Sequence, residues 1–399
     1  MISLDDTEVV PPHSEMLDSG ELKKRLTPLF DENFTRFGEL GAAVSVWQNG
    51  KPVLELHGGF RDAKREIPWT PDTIVLFWSA TKGLGSACLL HVLQERGIAL
   101  TRRVAEFWPE FAQADKGEIT LAQLLSHQAG LAALDVAVDV LDYPAVIAAL
   151  EKQAPLWPPG TAHGYHARTF GFFVDELVRR ISKSTVSEYW RKIFGDPLTL
   201  DIWIGLPESE EGRVATIYAA KADGIAAPAQ FYRDLATPGT LARKAFTSPR
   251  GLQSVSAMNS RENRARPFVS FGGIGSALSL AKFYAMLANG GELDGRRFFA
   301  RETIAQMTTT LAFGIDRVFQ IPTAFSAGFM KDPPETQRRI FGPSSLAFGH
   351  PGAGGSHAFA DPEKGISFAY VMNQMEQSLL PNEKSLRVVD AIYFTRPSP

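Results

Sequence analysis

The chain has 399 residues, 44% of them hydrophobic and 11% aromatic, and its 41 basic residues are balanced by 44 acidic ones for a formal net charge of -3. This excludes general disorder, which needs few apolar and aromatic residues, and with no basic block it argues against a nucleic-acid partner. One cysteine, Cys88, excludes an intrachain disulfide and a cysteine-rich zinc site. The length allows two or three domains, or one large fold with an insertion. The opening MISLDDTEVVPPHSEM has neither a basic start nor an apolar run, so it reads as no secretory leader. No run of about 18 apolar residues suggests a membrane span. The cytoplasm is the expected location.

In chain order, Leu22, Leu26, Phe30 and Phe34 recur every four residues and predict an amphipathic helix over 21–36. The apolar runs Ala42–Trp47 and Val53–His57 flank Asn49-Gly50, a strong hairpin signal. A buried helix is predicted over 80–97, with Gly97 as its C-cap and Cys88 as a small core residue. Helical patterns follow at 120–127, 144–152 and 170–183. Residues 205–265 are polar and poorly periodic, and predict long loops. Then come a helix at 277–288, strands at 325–330, 347–350, 356–361 and 366–373, and a helix at 385–394. The pattern suggests an α+β protein. One antiparallel sheet would be built from both chain ends, 20–115 and 266–399, with a mostly helical lobe of long loops over 116–265.

The sequence lacks a Gly-x-Ser-x-Gly elbow, a P-loop, a Rossmann fingerprint and a His-Glu-x-x-His. His163 and His166 are spaced to share a metal, but without an acidic partner nearby they read as a turn or pocket wall. No metal or organic cofactor is expected. Ser-x-x-Lys occurs twice, at Ser79–Lys82 and Ser279–Lys282. The motif sets a hydroxyl and an amine one helical turn apart, and a lysine whose pKa is lowered can activate a serine. About one match is expected by chance, so context decides. Ser79 follows the apolar Val75-Leu76-Phe77-Trp78 and opens the buried helix, whereas Ser279 reads as the N-cap of a surface helix with Lys282 on its solvent side.

The stretch FWSATKGLGSACLLHVLQERGIAL resembles the nucleophile helix of the serine β-lactamase-like superfamily, which includes class C β-lactamases, D-alanyl-D-alanine peptidases and family VIII carboxylesterases. The resemblance continues in order through ITLAQLLSHQAGL (119–131), PPGTAHGYHARTFGF (158–172), GGIGSALSLAKFYAMLANGGELDGRRFFARETIAQMT (272–308) and FGHPGAGGSHAFADPEKGISFAYVMNQM (348–375). It covers about residues 25 to 395 and implies a β-lactamase/transpeptidase-like fold. It also implies that Ser79 is the nucleophile, that Lys82 and Tyr165 handle protons, and that the backbone N–H groups of Ser79 and Ala353 form an oxyanion hole. Such donors are typically worth ~3 kcal/mol in the transition state. Which of Lys82 and Tyr165 is the base stays open.

Two departures from the lactamase pattern matter. His350-Pro351-Gly352 stands where the lactamases have Lys-Thr-Gly, and His350 reads as a weaker, pH-dependent holder of a substrate carboxylate. Tyr165-His166-Ala167 stands where they have Tyr-x-Asn, and Ala167 lacks the amide that contacts an acylamino chain. Both point toward the carboxylesterase branch and a small or short-chain ester. Trp78, His166, His350 and Gly352 are the candidate substrate contacts. Gly352 and Gly355 would let substrate approach the strand closely. Phe77, Trp157 and Phe170 line a pocket or fill the core. A β-lactamase or D-amino-acid amidase, an acyltransferase, and a catalytically dead binding protein remain as competing readings. A small-molecule ester is the expected partner, with a homo-oligomer open.

Overall fold

The computed structural model describes residues 16–221, 229–336 and 338–394. The N-terminal stretch read above as leaderless falls, up to residue 15, outside the described residues, as does 222–228 of the polar stretch.

The first helix runs Ser19–Thr35, capped by the Asp18 carboxylate, which accepts from the Glu21 N–H at 2.8 Å. Its periodic Leu22, Leu26 and Phe30 are buried, and it packs on the final helix Glu383–Tyr393. Strands Gly41–Gln48 and Lys51–Gly59 form the expected hairpin. Asn49 at φ +49° and Gly50 at φ +73° make its tight turn, whose left-handed backbone suits these two residue types.

The hairpin is one edge of an eight-stranded sheet. The order is Lys51–Gly59, Gly41–Gln48, Ile366–Met372, His357–Asp361, Phe348–Gly349, Met330–Lys331, Pro322–Phe325 and Ala312–Ile315, each pair antiparallel. Both ends of the chain therefore meet in it, with Val44 opposite Tyr370 at the junction. Helix Ala277–Ala288 lies across its central strands. Helix Thr81–Glu95 is buried along its length, Cys88 included, and packs against helix Phe170–Ser182. Apolar residues on both faces explain the burial: no stripe is left for water. A three-stranded sheet, Val75–Leu76, Gly273–Gly275 and Ile202–Ile204, ties the start of this helix to distant chain.

Three sequence expectations need correction. The strand expected at 325–330 is two strands, because Gly328 at φ +82° turns the chain between Phe325 and Met330. The stretch expected as loops holds helices Ala229–Ala236 and Leu241–Thr247, the latter capped by Thr240. Helices of eight and seven residues give too few turns for a clear period. Ser276, not Ser279, caps helix Ala277–Ala288; the Ser279 hydroxyl is buried and accepts from the Asp201 N–H at 2.9 Å. Lys282 pairs with Asp294 at 3.0 Å. Among the described residues no helix is long and apolar enough to cross a membrane.

Candidate active site

Ser79 sits in a single 3-10 turn, Trp78–Ala80, that leads directly into helix Thr81–Glu95. The turn is held from both sides. The Phe77 N–H donates to the Gly273 carbonyl at 3.0 Å, and the Gly273 N–H donates to the Thr81 hydroxyl at 2.7 Å. Trp78 is forced to φ +49°, a costly conformation for an aromatic residue. Ser79 and Trp78 are half-buried, between core and solvent.

Lys82 follows one turn later and is fully buried. Its Nζ lies 3.3 Å from Ser79 Oγ, and donates to the carbonyls of Ala167 at 2.9 Å and Ser270 at 2.8 Å. Burial pushes this amine well below the ordinary lysine range. A neutral amine has two N–H bonds and one lone pair. In that neutral form, with both N–H bonds on carbonyls, the lone pair faces the Ser79 hydroxyl; the charged form donates to all three oxygens.

Tyr165 is buried beside Ser79 and Lys82, close enough for the serine side chain to act on its phenol. Burial raises the phenol above its ordinary value, with the Ser79 bond opposing and the Asp316 charge adding. It is therefore a phenol at neutral pH, not a phenolate. Its ring stacks on Phe319 at 4.7 Å between centroids, and Lys82 Nζ lies 4.8 Å from its ring centre.

The segment after strand Phe348–Gly349 closes the site. Gly352 presses on the turn before Ser79: a Cβ there would lie 2.1 Å from the Phe77 carbonyl oxygen. Ala353 opens a one-turn helix, Ala353–Gly355, and is half-buried. The Ser79 amide stands in the turn that leads into its helix, where N–H groups have no acceptor within the helix, and the Ala353 amide opens the turn at Gly354, which is at φ +82°.

Several expected contacts turn out differently. His166 is fully buried; its Nδ1 donates to the Gly164 carbonyl at 2.8 Å and its Nε2 accepts from the Leu131 N–H at 3.0 Å. Both nitrogens are spent on backbone, so it shapes the loop rather than meeting substrate or metal. His163 is likewise taken, by the Thr323 hydroxyl at 2.8 Å. His350 does not work as a pH-dependent cation: burial, reinforced by Lys82, pushes it down to about 3. Its Nδ1 pairs with the Pro351 carbonyl at 2.8 Å, while its Nε2 is buried without a partner. Gly352 packs closely on Phe77, and Gly355 sits against Asn382. Phe77, Trp157 and Phe170 are core.

Two residues near the centre went unassigned in the sequence. His127 accepts the His166 N–H on Nδ1 at 3.1 Å, and its ring lies 5.0 Å from Tyr165. Asp316 is a buried carboxylate that takes the Tyr165 N–H at 3.1 and 3.2 Å. Its one sequence signal is an acidic residue after the apolar Ile315 and before Arg317-Val318-Phe319, in FGIDRVF. Among the described residues, no group of three or more His, Cys, Asp or Glu is placed to hold a metal ion.

The family model described as Beta-lactamase matches residues 30–390. The chain belongs to the beta-lactamase family. It is similar to "Esterase/beta-lactamase LipL" of Mycobacterium tuberculosis, with 32% identity over 86% of this chain and 79% of that protein. Among solved structures it resembles a penicillin-binding protein homologue from Caulobacter crescentus, with TM-score 0.83, 36% identity and 93% and 97% of the two chains covered. A family VIII carboxylesterase gives TM-score 0.83 and 34% identity over 93% and 96% of the two chains. The fold is accordingly β-lactamase/transpeptidase-like, and the chain is a serine hydrolase of that fold.

Proposed function

We propose that the protein is a carboxylesterase that hydrolyses small or short-chain esters through an acyl-enzyme on Ser79. The cycle follows from the two flanking groups. The lone pair of neutral Lys82 takes the Ser79 proton as Oγ attacks the ester carbonyl. The amides of Ser79 and Ala353 receive the oxyanion. The Tyr165 phenol donates its proton to the departing alkoxide and recovers one from Lys82. Water then enters by the reverse route and releases the acid. No step draws on a metal or an organic cofactor.

The observation that carries the ester reading is His350. It stands where a lactamase would present a lysine to the substrate carboxylate, yet it is buried and neutral, so it brings no positive charge to such a group. Ala167 adds to this, since it has no amide for an acylamino chain and uses its carbonyl on Lys82. A β-lactam side activity is the second reading, favoured by the name of the mycobacterial relative. A kinetic panel of p-nitrophenyl esters of rising acyl length, nitrocefin and D-alanyl amides separates them. The ester reading expects kcat/KM for acetate or butyrate to exceed that for nitrocefin by about 100-fold or more, the loss a site suffers when a charged group goes unpaired. Nitrocefin or amide turnover above ester turnover would overturn it.

A further inference from the structure

We infer that Asp316 is a positioning residue for the Tyr165 phenol, acting through the backbone of Tyr165. The inference rests on the proposed role of Tyr165 in proton transfer.

Three successive backbone N–H groups carry the tyrosine segment, and their acceptors differ in kind. The Gly164 N–H donates to the His127 carbonyl at 3.1 Å, and the His166 N–H to His127 Nδ1 at 3.1 Å. Between them, the Tyr165 N–H is shared by both oxygens of Asp316. The same carboxylate accepts the Val318 and Phe319 N–H groups at 2.8 Å each, and the Thr323 hydroxyl at 3.3 Å. Thr323 spends its proton on Asp316, so its oxygen receives the Nε2–H of His163. Arg317 closes the contact by donating its N–H to the His163 carbonyl at 3.0 Å.

Asp316 therefore holds two things in one register. One is the backbone from which the Tyr165 side chain hangs. The other is the turn that delivers Phe319 to the face of the Tyr165 ring. A carboxylate suits this role because it is acceptor-only and offers about four lone pairs to four donors. An asparagine keeps one acceptor oxygen and turns a donor toward the rest. The Tyr165 hydroxyl is set by this anchor plus two side-chain torsions, so slippage of the anchor moves it away from Ser79. Misplacement of a reacting group by about 1 Å can cost on the order of 100-fold in rate.

A general structural role makes a different prediction from a positioning role, and a double-mutant cycle separates them. Asp316→Asn is measured alone and in a Tyr165→Phe background with p-nitrophenyl butyrate, with the thermal midpoint followed for each variant. The expected result is that Asp316→Asn alone lowers kcat by about 10- to 100-fold with KM within about threefold, and that it changes kcat by less than about threefold once the phenol is gone. Thr323→Val removes one donor to the carboxylate without touching the backbone. It should show a loss of about 2- to 5-fold that is likewise absorbed in Tyr165→Phe, and it carries the cycle if Asp316→Asn does not fold. An equal fold-loss in both backgrounds, or a rise in KM with kcat unchanged, overturns the inference. A Tyr165→Phe enzyme with normal kcat overturns instead the role of Tyr165, and the inference falls with it.

Discussion

Lys82 and Tyr165 meet at one hydroxyl, but they come from regions built in different ways. Lys82 belongs to a helix, and its distance from Ser79 is set by the helical repeat. The carbonyls that complete its position, from Ala167 and Ser270, ask nothing of their side chains. Tyr165 belongs to irregular chain, and its supports include the particular side chains of His127, His166, Asp316 and Phe319. The amine is thus fixed by local geometry and the phenol by a packed set of distant residues. The first arrangement tolerates sequence change around it; the second is expected to fail by degrees as each support is altered.

The largest effect tests the two sides directly. Lys82→Ala should lower kcat by about 1,000-fold or more and Tyr165→Phe by about 100- to 1,000-fold, each with little change in KM, because both act in the transition state. Steady-state kinetics on p-nitrophenyl acetate decides it. A loss confined to KM for either variant would remove that residue from the chemistry.

This contrast also explains what could be read from the sequence. The Ser79–Lys82 region was legible because its signal is local: the two residues are one turn apart, after an apolar strand and before a buried helix. The hairpin at Asn49-Gly50 and the final helix were legible for the same reason. The tyrosine region was legible only as a block of residues similar to others in its family. Two of its supports, Asp316 and Phe319, lie more than 150 positions away in the chain. No periodicity encodes that pairing. His166 misled because a histidine beside a motif tyrosine looks like a ligand until its two nitrogens are seen on backbone groups.

Acid provides a smaller and more graded test of the same comparison. Burial lowers His163 to about 4 and His166 and His350 to about 3, and holds His127 well below its ordinary value. The folded state keeps these imidazoles neutral while the unfolded chain protonates them near 6.5, so stability falls as the pH drops below that value. At pH 5 the loss is roughly 2 kcal/mol as an upper bound for each of His163, His166 and His350. Asp316, raised by burial to about 6, works in the opposite sense, because its protonation favours the folded state, as do the raised Glu39, Asp332 and Asp361, while His91 and His357 are lowered with the other histidines. The thermal midpoint should therefore drop by about 10 °C or more between pH 7 and pH 5. A midpoint unchanged across that range would contradict the neutral, buried state of the histidines around Tyr165.

The central claim is that Ser79 carries the acyl group, and intact-protein and peptide mass spectrometry test it most directly. After brief reaction with a fluorophosphonate, or with a slowly hydrolysed ester quenched in acid, one adduct should appear on the peptide containing Ser79 and vanish in Ser79→Ala, together with hydrolysis of p-nitrophenyl butyrate. An adduct on another residue, or near-normal turnover by Ser79→Ala, would contradict the account.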